Sequence, residues 1–163
     1  VSLLGKSLNL DVKYRNNPIV EIDRKDNKLV LYLPKKYKTI ESVQIVNMAI
    51  EKMYDEVAEI ELENAMEKIR LILGFAPDDY EIERMKNSFY KVKNKVITIN
   101  PDIVKYSKKV IETTLLGAFC KAQYKANSKA YKEALENGIK EYEAFTFDLI
   151  RNNKTTSKIK KVS

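Results

Sequence analysis

The chain has 163 residues, 44% of them hydrophobic, with 30 basic and 23 acidic side chains, one cysteine and no histidine. That length and apolar content suit one domain that buries a core without disulfide or metal staples. The composition excludes an internal disulfide, a zinc site with two or more thiolates, a three-histidine metal centre, a Ser-His-Asp triad and a Cys-His nucleophile system.

Residues 8–33 read as short strands. LNLDVKY alternates, PIVEI follows a turn at Asn16-Asn17-Pro18, and a polar turn at Lys25 to Lys28 leads into LVLYL, which Pro34 stops. From about Thr39 to Leu73 the period becomes helical. Val46, Ile50, Met53, Val57 and Ile60 step by four and three, and Ile69 and Leu73 resume the stripe. Lys52 and Glu56 are placed for an i,i+4 pair on the charged face. Gly74 is a natural C-terminal stop, Pro77 prevents continuation, and the helix is expected to lie across the sheet.

YEIERMK and KVITIN then read as two strands around a polar connection near Lys91 to Lys95, with Asn100-Pro101 ending the second. A helix over about 107–125 carries Ile111, Leu115, Ala118 and Ala122 on one side. Asn127 or Ser128 caps a last helix, on which Tyr131, Leu135, Gly138, Tyr142, Phe145 and Leu149 recur at helical spacing and Asn137-Gly138 is a potential break. Residues 1–150 form the expected domain, and 151–163 a basic, disordered tail. The tail holds Arg151, Lys154, Lys158, Lys160, Lys161 and no acid, which leaves 25 basic against 23 acidic groups in residues 1–150 and a net charge of +7 overall. No apolar run of about 18 residues and no secretory leader is visible, so neither a membrane span nor export is expected and a reducing cytoplasm is the simplest compartment.

Five stretches carry a resemblance: LLGKSLNLDVKY, KLVLYLPK, a long helix ending ILGFAPDDYEIERMKNS, VITINPDIV, and KKVIETTLLGAFCKAQYKANSKAYKEAL. In this order, across nearly all of residues 3–145, the chain resembles the YgjP-like metal-dependent hydrolases, a zincin-type group. The resemblance implies an α+β fold, with a small antiparallel sheet, a long helix and a C-terminal helical hairpin, and a further strand-rich stretch upstream of Val1. It also implies a zinc ion held by a helical H-E-x-x-H and by a third histidine in an Asn-His-Ser context, the Glu serving as general base. Laid on that pattern, Gly117 and Lys121 occupy the two histidine positions, Ala118 replaces the base and Asn127 the third histidine. Of the family's Arg-Trp-Gly-Ser-Cys stretch, near residues 84–88, only Arg84 is kept.

Gly and Ala offer no donor atom, Lys121 brings a positive charge, and Asn127 alone is a weak neutral ligand. The expectation is therefore a catalytically inactive relative, with no catalytic or metal-binding residue and no cofactor. Gly117, Ala118, Lys121 and Asn127 would line either a residual cleft or a closed hairpin, and the scaffold would serve in binding. A protein partner and, through the basic tail, nucleic acid are the two partner classes. The alternative is a hydrolase whose chemistry has moved to carboxylates and a hard metal, for which Glu61, Glu63 and Glu67 are more simply the solvated side of a helix. Cys120 is either a thiol activated by Lys121 or a small core residue. Tyr37, Tyr90 and Tyr106, each beside lysines, are the aromatic candidates for a surface role.

Overall fold

Alternating apolar residues and polar turns make strands of most of the first 34 residues. The computed structural model describes residues 1–39 and 42–162, with side chains described through residue 147. The side chains of Arg151, Lys154, Lys158, Lys160 and Lys161 lie outside the described residues. β1 (Ser2–Leu3) and β2 (Lys6–Ser7) form a tight antiparallel hairpin. β3 (Asn9–Arg15), β4 (Glu21–Lys25) and β5 (Lys28–Pro34) form a sheet in the order β3-β5-β4. β4 and β5 are antiparallel across the two-residue turn Asp26-Asn27, whereas β3 runs parallel to β5, with Asn9 opposite Lys28 and Arg15 opposite Pro34.

The sheet is thus mixed, not antiparallel throughout as expected. The reason lies in β5, whose Leu29, Leu31 and Leu33 are fully buried. The most apolar strand takes the centre, where both edges are paired, and β3 is left beside a strand of its own direction.

Helix α1 (Ser42–Leu73) runs for 32 residues. It stops where expected: Gly74 takes a left-handed φ of 78° and donates its N–H to Arg70 O at 2.9 Å, a conformation open to glycine at little cost. Its buried face is Met53, Tyr54, Ala58, Leu62, Ala65, Met66 and Ile69. The expected stripe is rotated from this one; Met53 and Ile69 belong to both, while Ile60 is 63% exposed. Lys52 and Glu56 do pair, at 3.9 Å on the outer face. α1 packs mainly on the other helices and on a short 3-10 turn, Pro101–Lys105, rather than across the first sheet.

The second sheet repeats the topology of the first. β6 (Asp79–Ile82), β7 (Tyr90–Lys93) and β8 (Val96–Ile99) lie in the order β6-β8-β7, with β6 parallel and β7 antiparallel to β8. β7 occupies much of the stretch expected to be a connection. Its hairpin turns through Asn94 and Lys95, both at positive φ (51° and 63°), the backbone a tight two-residue loop needs. β8 contributes Ile97 and Ile99 to the core and is covered by α2 (Lys108–Gln123).

α3 (Lys129–Val162) is continuous through Asn137-Gly138, so the expected break is absent. Gly138 is a packing residue: a Cβ there would lie 2.7 Å from Leu73 Cδ2 and 3.4 Å from Leu116 Cδ2. The lack of a side chain lets α3 settle against both other helices. Lys68 of α1 joins all three. Its Nζ lies 2.5 Å from Oε2 of the buried Glu112 in α2, 5.3 Å from the Tyr142 ring and 5.8 Å from the Phe145 ring of α3. Burial, and secondarily the Glu112 charge, raises the Tyr142 phenol above its ordinary range. Removing the cation leaves a largely buried carboxylate without its ion pair. Lys68→Met is expected to destabilise the protein by about 2 kcal/mol, and Lys68→Met/Glu112→Leu to recover most of that loss in urea denaturation. Equal losses in both variants would show that the pair is not what ties the helices.

Candidate functional site

Helix α2 and the turn after it carry the positions singled out by the sequence. Ser107 caps α2, its Oγ accepting from Val110 N at 3.3 Å, and Tyr124 N–H closes the other end on Cys120 O at 3.0 Å. Ile111, Leu115, Ala118 and Ala122 are buried together, as their spacing predicts. In the turn, Asn127 adopts a left-handed φ of 60° and is exposed. It is Ser128 that caps α3, Oγ accepting from Tyr131 N at 3.1 Å, which decides between the two expected caps.

The four positions do not converge. Ala118 is fully buried, Asn127 stands in the exposed turn, and the helix places Gly117 and Lys121 one turn apart on a more open face. Nothing lies within 4 Å of a Cβ built on Gly117. Lys121 Nζ sits 5.1 Å from the ring centroid of Tyr90, on the edge strand β7. Hydrogen bonding to the Tyr90 phenol, and then the charge that phenol can carry, raises the Lys121 ammonium above the ordinary lysine range, so it is fully charged at neutral pH. The side chains at these positions thus offer one exposed cation beside Tyr90 and one exposed amide.

Cys120 is fully buried, and burial pushes its thiol up, away from the thiolate. Glu61 reaches Lys108 at 3.9 Å, while Glu67 is bound by Arg70, whose hydrogen bond lowers the Glu67 carboxyl below the usual range. Among the described residues no group of three or more Asp, Glu, Cys or His side chains is placed to hold a metal ion. Tyr37 lies under Lys36, and Tyr106 is 45% exposed, edge-on to Phe89.

Arg84 anchors a network that sequence reasoning did not find. Its guanidinium meets Asp55 Oδ1 at 2.8 Å, Glu51 Oε1 at 3.3 Å and Asp102 Oδ1 at 3.4 Å, and it donates to Glu51 O at 3.2 Å. Asn100, 4% exposed, donates to Met85 O and Ser88 O at 2.9 and 3.1 Å and accepts from Asp102 N at 3.0 Å. Together they fix residues 84–89 between α1 and the 3-10 turn. The signal was present in Glu51 and Asp55, an i,i+4 pair of acids on one side of α1, since the nearby Lys52 pairs with Glu56 instead.

No family model matches the chain, and no curated protein or solved structure is significantly similar to it. Among the described residues no helix is long and apolar enough to cross a membrane.

Two measurements test these environments. Gly117→Ala is expected to stabilise the protein by about 0.5–1 kcal/mol, read as a rise in Tm, because a helical glycine gives way to alanine in open space. Gly138→Ala should gain less, since Leu73 must move. Cys120 is expected to resist a disulfide-exchange reagent in the folded protein and to react fully in denaturant; native-state labelling at the rate of a free thiol would refute its burial.

Proposed function

We propose that this chain is a catalytically inactive relative of the YgjP-like zinc hydrolases, retained as a binding scaffold. The observation that carries the reading is Lys121: a cation held over Tyr90 stands where the resemblance requires a neutral metal ligand. The order of elements supports it too. Strands, a 32-residue helix, further strands, a helix, a short turn and a last helix follow one another where the matched stretches place them.

Zinc does not fit the residues present. Gly117 and Ala118 have no donor atom, Lys121 repels a dication, and Asn127 stands alone in its turn. No hydrolytic step is assigned to this site. The reading makes the protein a cytoplasmic binding module, acting on a protein partner or, through the tail, on nucleic acid.

Metal analysis by plasma mass spectrometry on untagged protein is the direct test. The expected ratio is below about 0.1 transition metal per chain; about one per chain, with hydrolysis abolished by a chelator, would overturn the proposal. A gain-of-ligand variant tests the correspondence itself. Gly117→His/Lys121→His places two imidazoles one turn apart on α2 and is expected to bind zinc with a Kd of about 10 µM or tighter, because Gly117 has room for the new side chain. A folded variant without zinc affinity would mean that these are not the family's ligand positions.

A further inference from the structure

We propose that the cleft between the β1–β2 hairpin, the β4–β5 turn and the start of α2 binds a phosphate ester that carries an apolar group. Its cavity is about 730 Å³, within the range of small-molecule sites. Lys6, Arg24, Lys108 and Lys109 line it, against one acid, Asp26. The excess of three positive charges in this one cleft exceeds the net charge of +2 carried by all of residues 1–150.

Three of the four cations have no ion pair among the described residues. Lys108 has Glu61 at 3.9 Å, whereas Lys6, Arg24 and Lys109 have no acidic partner within 4.0 Å among the described residues. Four like charges around one cavity repel one another, and an anion relieves that repulsion most where the walls are apolar and screen it least. The walls are apolar here. Leu3 and Leu8, 4% and 6% exposed, form the floor together with Leu4. The positive end of the α2 dipole adds to the field of the side chains.

The lining also narrows the ligand. Arg24 supplies a planar fork and the lysines point charges, a set suited to phosphate oxygens. No aromatic ring lines the cavity, so the stacking platform of a single-strand nucleic-acid site is missing. The leucine floor takes an apolar portion instead. This proposal is independent of the proposed relation to zinc hydrolases, since none of its residues belongs to the matched metal positions.

The test is calorimetric titration of the full chain with two probes, ADP and dihexanoyl phosphatidic acid, which separate a nucleotide source from a lipid one. Dihexanoyl phosphatidic acid is expected to bind with Kd of about 100 µM or tighter and more tightly than ADP, which brings phosphates without an apolar group; tighter binding of ADP would overturn the apolar part of the proposal. Lys6→Ala/Arg24→Ala/Lys109→Ala should weaken binding by about tenfold or more, and Lys109→Glu alone should weaken it measurably, since each removes a charge-assisted contact. All three side chains are exposed, so the fold is retained, as circular dichroism will verify. Failure of both probes to bind below about 1 mM, or a triple variant that loses less than about tenfold, overturns the proposal. Binding unchanged in the triple variant would assign the anion to cations outside the cleft.

Discussion

One ammonium group, Lys68 Nζ, is shared by all three helices. Glu112 can be buried in α2 only because that cation reaches it from α1, and the same cation lies against two aromatic rings of α3. A largely buried carboxylate without such a partner carries an uncompensated desolvation cost, which weakens the junction. The Lys68 side chain is still 24% exposed, so its head keeps some contact with water while its stem fills the junction. The crossing fixed there brings Gly138 against Leu73 and Leu116, where a Cβ would fit only if the Leu73 side chain moved.

Helix α2 connects this junction to both candidate sites. Its first residues wall the basic cleft, its second turn supplies Glu112, and Gly117 and Lys121 follow further along the helix. The two ends differ in what they offer. Near its start, exposed cations gather around an open cavity; near its end, one cation is occupied by Tyr90 and Ala118 has been taken into the core.

Much of the fold was legible because local signals agreed. Gly74 and Pro77 ended α1, Pro34 ended β5, and the apolar spacing of Ile111, Leu115, Ala118 and Ala122 gave the buried side of α2. The rest depended on distant contacts. A 32-residue helix with apolar residues on several sides does not reveal which stripe its neighbours cover, so periodicity points Ile60 inward while contacts bury Tyr54 and Leu62. YKVK was overlooked as a strand because its lysines are exposed along an edge and its turn, Asn94-Lys95, lacks the usual glycine. Residue types at 117, 118, 121 and 127 could be judged from composition alone. Arg84 with Glu51, Asp55 and Asp102 could not, because its partners lie up to 33 residues away in the chain.

The shared topology of the two sheets has a consequence for how they assemble. In each, the second and third strands are joined by a two-residue turn, while the first must find the third across an intervening strand. Such hairpins close in microseconds, and a parallel partner added across a longer loop comes later. Loop-closure entropy thus favours pairing of each hairpin ahead of its parallel strand, although β3, once in place, shares the longer register with β5.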